Sequence, residues 1–206
     1  MSNKPRTQRR FRNVVMPTSS HPAIRRVRRQ GNKPTIHGNK LWKSSCLLID
    51  YLGKHPPAHT ASVIDVGCGW GIGGIWCAKT FGSKVTSMDA DDSVFPYLDA
   101  VAELNGVHTD HLVSSFEKLT TRQLSRYDML IAADICFWDE LIEPVEAMID
   151  RAVRAGVKHI LVSDPERSPF LEVAQRCQQN YGAELFDWRT RGSIEARGAI
   201  LLLENA

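Results

Sequence analysis

The chain of 206 residues reads as an α/β protein built on one seven-stranded sheet, with five parallel strands, a C-terminal antiparallel hairpin and helices on both faces. Three observations lead there. From about residue 62 to residue 181, short apolar segments alternate with longer ones of helical periodicity, and such crossovers produce parallel strands covered on both faces. Gly82, Gly106, Gly156 and Gly182 each follow a helical segment, where a left-handed residue closes the helix. The last two strand segments are joined by residues 191–197, too few for a helix, so they pair antiparallel.

The first 43 residues hold twelve Lys/Arg and no Asp or Glu, whereas the remainder holds fourteen basic and twenty-three acidic residues. With prolines at 5, 17, 22 and 34 discouraging regular structure, residues 1–34 read as a basic, flexible arm and residues 35–206 as one folded domain. Four arginines between 25 and 29 suit a helical turn or two. Leu41, Trp42, Cys46, Leu48, Tyr51 and Leu52 keep mostly helical spacing and stop at Gly53. A loop follows at 55–60. Strands are expected at 62–67, 84–89, 110–114, 127–134, 158–164, 184–190 and 198–204. Helices are expected near 71–81, 92–105, 119–125, 139–155 and 168–181.

Composition bounds the function. A basic arm is drawn to nucleic acid or to acidic protein surfaces, or is a solvated tail with no dedicated partner. The five cysteines show neither metal-ligand spacing nor an even framework, and the seven histidines are scattered. An intracellular, reducing compartment and no metal are therefore expected. The location expected is the cytoplasm. An Arg-rich, acid-free start is also transit-peptide composition, which leaves a mitochondrial location open. No apolar run approaches the roughly 18 residues that span a bilayer.

Residues 62–74 read Ser-Val-Ile-Asp-Val-Gly-Cys-Gly-Trp-Gly-Ile-Gly-Gly. A strand runs into a glycine turn, with Asp65 two places before Gly67; about 20 residues on, a second strand ends at Asp89. Strand, turn, helix, strand and terminal acid make a site for a nucleoside cofactor. Gly67 and Gly69 let backbone approach a ligand, and the helix that follows offers free N–H groups to a carboxylate. Asp65 is placed to orient the turn and face an ammonium, and Asp89 to hold a ribose diol. After the third strand, Ser115 and Phe116 are candidates for adenine, with plain core packing the other reading of Phe116. Residues 69–74 formally fit the dinucleotide pattern GxGxxG. Counted from the strand end at Gly67, however, the sixth position is Ile72.

Asp-Val-Gly-Cys-Gly-Trp-Gly resembles the turn of class I, seven-strand, Rossmann-like methyltransferases, which implies S-adenosylmethionine as cofactor. Leu41-Trp42 ahead of a helix, the turn at 65–71 and Asp134-x-x-Phe137 together resemble the protein lysine methyltransferases of that class. Asp164-Pro165-Glu166-Arg167 is similar to the branch that modifies the beta subunit of electron transfer flavoprotein. The resemblance covers about residues 40–204. It departs at Phe137, where the family usually has tyrosine, and at Glu166, where glycine is expected. It implies that Trp42 packs near the cofactor and that Ala133 contacts it. The segment after strand four lacks the Asn/Asp-Pro-Pro-aromatic tetrad of enzymes that methylate adenine or glutamine amides.

The expected activity is thus S-adenosylmethionine-dependent methyl transfer (EC 2.1.1.-) to a lysine of a protein substrate. Asp134 would orient the amine and take its proton, and Phe137 and Trp138 would wall the slot. The alternatives are a small-molecule N-methyltransferase, or an RNA- or ribosome-associated protein that uses the basic arm.

Overall fold

The structure, a computed structural model, describes residues 7–34, 40–57 and 60–205. Pro5 of the expected arm, residues 35–39 at the start of the expected domain and residues 58–59 of the expected loop lie outside the described residues.

The chain runs β1 (Gln8–Phe11), β2 (Val14–Pro17), α1 (Pro22–Arg29), α2 (Ser44–Leu52), β3 (Ser62–Val66), α3 (Ile72–Phe81), β4 (Lys84–Asp89), α4 (Phe95–Asn105), β5 (Asp110–Val113), α5 (Thr121–Leu124), β6 (Met129–Ala133), α6 (Ile142–Arg154), β7 (His159–Asp164), α7 (Ser168–Tyr181), β8 (Glu184–Arg189) and β9 (Arg197–Glu204). The large sheet has strand order β5-β4-β3-β6-β7-β9-β8. β3 to β7 run parallel to one another, and β9 runs antiparallel to both β7 and β8. This is the expected Rossmann-like sheet. The chain leaves β3 for β4 on one side and later returns to β6 on the other. That reversal opens a crevice at the carboxyl ends of the strands.

Successive strand residues feed opposite cores, as the two-residue period requires. Val63 packs into the core that holds Ile75, Trp76 and Leu47, and Ile64 into the core that holds Met148 and Phe170. Gly82, Gly106 and Gly182 close α3, α4 and α7 in the left-handed conformation.

The main difference from expectation lies at the N-terminus. Residues 8–29 are not irregular: β1 and β2 form a hairpin and α1 is an eight-residue helix. Its prolines sit where regular structure tolerates them, Pro17 at a strand end and Pro22 in the first turn of α1. The apolar residues between the arginines make the difference. Phe11, Val14, Val15, Met16, Ile24 and Val27 are buried. Asn105 at the end of α4 clamps β2: its Oδ1 accepts from the Val15 N–H at 2.7 Å and its Nδ2 donates to the Val15 carbonyl at 3.0 Å. Arg25, Arg26, Arg28 and Arg29 cover the outer face of α1.

Elsewhere the differences are at element ends. Asp91 caps a short 3-10 turn before α4, and another such turn, Asp139–Leu141, precedes α6. β6 ends at Ala133 because Asp134 turns to φ +60°. Among the described residues, no helix is long and apolar enough to cross a membrane, and no group of three or more His, Cys, Asp or Glu side chains is placed to hold a metal ion.

Candidate active site

The turn after β3 is shaped by three glycines with positive φ: Gly67 (+64°), Gly69 (+52°) and Gly71 (+71°). A Cβ at Gly67 would lie 2.6 Å from the Ile135 side chain, and one at Gly71 would lie 2.7 Å from Leu98. Gly69 faces open space, with nothing within 4 Å of where its Cβ would be. The turn is therefore packed at both ends and bare in the middle, towards the crevice.

Two acids hold it. Asp65 is buried, and its Oδ2 accepts from the Gly74 N–H at 2.9 Å, so it anchors the first turn of α3 from below. Burial pushes its carboxyl up to about 7, against the Gly74 N–H and helped by the charge of Asp89. Asp89 accepts from the Gly69 N–H at 2.9 Å and the Asp91 N–H at 3.1 Å. Burial raises its carboxyl as well. Asp89 thus ties the end of β4 to the bare middle of the turn, a role that the sequence expectation of a ribose grip did not include.

All ten residues selected from the sequence line one crevice: Trp42, Asp65, Gly67, Gly69, Asp89, Ser115, Phe116, Ala133, Asp134 and Phe137. Ser115 and Phe116 open a 3-10 turn after β5, and the Phe116 ring packs against the second core while its edge reaches the crevice. The carbonyl of Phe116 accepts from Arg151 at 2.7 Å, which fixes that wall to α6.

At the far end of the crevice, Asp134 is 3% exposed. Its Oδ1 lies 2.7 Å from Nη1 of Arg167, in ion-pair range but outside the geometry of a directed hydrogen bond. The directed bond from that nitrogen goes to Asp164 Oδ2 at 2.6 Å, and the Arg167 N–H donates to Asp164 Oδ1 at 2.8 Å. One guanidinium serves two buried carboxylates. Burial moves Asp164 up to about 6, with Arg167 opposing. Rings close around it: Phe137 lies 5.8 Å from Trp42 and 6.0 Å from Trp138, and the guanidinium lies 5.3 Å from the Phe137 ring and 6.0 Å from that of Trp42. Trp138 is half exposed at the rim.

A family of proteins described as lysine methyltransferase matches residues 26–178. The chain belongs to the lysine methyltransferase family. Its sheet is the Rossmann-like fold of class I methyltransferases, and S-adenosylmethionine is the cofactor that the family implies. A ubiquinone biosynthesis O-methyltransferase of Xylella fastidiosa (strain 9a5c) is 31% identical over 91 residues, 42% of this chain and 35% of that protein. The chain spans only about a third of the length of that curated relative. Among solved structures, a Thermus thermophilus 16S rRNA N2 G1207 methyltransferase in complex with AdoMet and guanosine matches at TM-score 0.62 and 19% identity, over 83% of this chain and 45% of that one. A ribosomal protein L11 methylase from Lactobacillus delbrueckii subsp. bulgaricus matches at TM-score 0.57 and 17% identity, over 79% of each. These likenesses show the shared fold.

The family cofactor suits the residues present. The bare turn at Gly69 gives a flat backbone approach, the start of α3 presents N–H groups, and Asp65 and Asp89 supply carboxylate oxygens in the same crevice. Sequence reasoning missed two contributors. Arg167 was read only as part of a tetrapeptide, although a buried acid such as Asp134 demands a counter-charge. Ile135, whose side chain fixes the Gly67 approach, carries no chemical signal at all. The glycine expected at 166 has a physical basis: Glu166 adopts φ +71°, the backbone region that glycine favours.

Proposed function

We propose that this methyltransferase domain transfers a methyl group to the ε-amino nitrogen of a lysine in a protein substrate. One observation carries the reading. Asp134 Oδ1 is buried in the crevice wall beside an Arg167 guanidinium that it shares with Asp164, inside a ring of aromatic side chains. Such a place suits a cationic or N–H-bearing acceptor and disfavours a phosphate or carboxylate.

When bound, the cofactor would supply an electrophilic methyl group on a sulfonium, with a neutral thioether as leaving group. The chain's own residues do the rest. The backbone at Gly67–Gly71 and the start of α3 would take the amino-acid carboxylate, Asp65 would face the ammonium, and Asp89 would accept from the ribose hydroxyls. Ser115, Phe116, Ala133 and Trp42 enclose the remainder. Phe137, Trp138 and Trp42 strip water from the lysine, which favours its neutral amine. Asp134 orients that amine and takes up the proton it releases. Holding the nitrogen about 3–3.5 Å from the methyl carbon is the main catalytic task. All five cysteines are free, and four of them are buried, which supports a reducing setting.

The test is transfer from tritiated S-adenosylmethionine into a cell lysate, with the labelled product digested to amino acids. Label in methyl-lysine supports the reading. Label confined to RNA or to small molecules would overturn it.

A further inference from the structure

We propose that the N-terminal hairpin and the segment leading into α2 form a basic groove that seats an acidic stretch of the substrate protein beside its target lysine. The inference rests on the lysine reading above and names what accompanies that lysine.

A second depression lies against the crevice. Arg9 of β1, Lys40 and Lys43 line it, over a floor that includes Met16 and Ile194. Its described lining holds these three cations and no acid. Lys40, Leu41, Trp42 and Trp70 line both the groove and the crevice, so one wall separates them. That wall is built into the aromatic site: Lys40 Nζ sits 4.0 Å over the Trp42 ring, and Trp42 meets Phe137. The groove's outer side is rigid as well. Arg9 stands opposite Met16 on a hairpin that Asn105 clamps to α4. Arg12, by contrast, is taken up by Asp50 at 2.8 Å, and Lys54 shares that acid at 3.0 Å.

Charge reverses across the shared wall. On the crevice side two carboxylates face one guanidinium; on the groove side three cations face solvent. An acceptor that fits both has a lysine for the crevice and acidic residues a short way along its chain. A nucleic acid fits this less well. Its phosphates suit the groove but meet Asp134 and Asp164 at the crevice, and beyond the N-terminal 43 residues the chain is acidic.

The experiment uses the full chain saturated with S-adenosylhomocysteine and fluorescence anisotropy with three probes: a short labelled peptide with one lysine flanked by glutamates, the same peptide with glutamines, and a single-stranded RNA oligomer. The variant is Arg9→Gln/Lys43→Gln, since neither residue lines the crevice. The glutamate peptide should bind roughly tenfold tighter than the glutamine peptide at low salt, and the variant should lose that preference while its S-adenosylhomocysteine affinity stays unchanged. Equal binding of the two peptides, or a preference that survives in the variant, overturns the proposal. RNA that binds tighter than the glutamate peptide and is released by the variant assigns the groove to nucleic acid instead, and also overturns it. Should the tritium experiment label no protein while the peptide preference and its loss both hold, the lysine reading fails and the groove stands.

Discussion

Asp65 shows how much one buried carboxyl controls. With its titration raised to about 7, it is largely protonated in the empty site below that pH. An ammonium placed beside it favours the carboxylate, so S-adenosylhomocysteine should release a proton on binding near pH 6, and its affinity should rise through about pH 7 and then level off. Calorimetry in two buffers of different ionisation enthalpy reads this directly; Asp65→Asn should remove it. Stability follows the opposite sign. A carboxyl raised in the fold contributes stability that is fully present below its unfolded value, about 3.9, and is lost as pH rises through about 7, on the order of 4 kcal/mol. Urea melts of the native protein should therefore weaken over that window relative to Asp65→Asn. Asp89→Ala loses two backbone hydrogen bonds and the proposed ribose acceptor, so product affinity should fall roughly a hundredfold. An unchanged dissociation constant would remove the ribose assignment. Asp134→Ala should leave product binding within a few-fold and lower kcat by roughly 10²–10⁴. Full turnover in that variant would end its part in transfer.

At the scale of elements, the clamp between α4 and β2 is the feature to test. Asn105→Ala strands the buried N–H of Val15 and leaves its carbonyl without that donor. The expected loss is about 2–3 kcal/mol, measured as a shift in denaturation midpoint with secondary structure retained. A neutral substitution would mean that the hairpin is held by its apolar side chains alone. The same junction marks the limit of what the sequence discloses. The alternation of strands and helices from β3 to α7 was legible because each element carries one period and most of the helices end at or next to a glycine. The glycine turn and the two acids that line the crevice were legible because they need particular residue types at a fixed spacing, whereas Trp42 and Ala133 were placed there only by the family resemblance. The hairpin was not, and of α1 only the turn or two at the arginines was, because the apolar positions are few and stand among arginines and prolines, and β2 is held by a partner 90 residues away at Asn105. The ion-pair cluster was hidden for the same reason. Asp134, Asp164 and Arg167 come together only when β6 and β7 lie side by side, which local pattern does not reveal.

For the molecule as a whole, the question is whether the basic N-terminus is an attachment or a part of the fold. Its charge suggests the first and its burial the second. Six apolar side chains between Phe11 and Val27 are buried, each contributing about 1.5–3 kcal/mol of gross burial. The conformational entropy lost in ordering that stretch of backbone opposes this gain. A second effect falls on what it covers. β2 and α1 pack on α3 and α4, and without them apolar surface on those helices meets water and the Asn105 amide loses its Val15 partners. A chain lacking residues 1–31 should therefore unfold at a lower denaturant concentration and bind an apolar dye that the full chain does not. An identical midpoint and no dye uptake would make the segment a detachable arm after all. The physical consequence reaches the binding experiments. Truncation removes charge and core at once, whereas Arg9→Gln/Lys43→Gln removes two exposed charges alone, so only the latter separates what the basic surface attracts from what the fold requires.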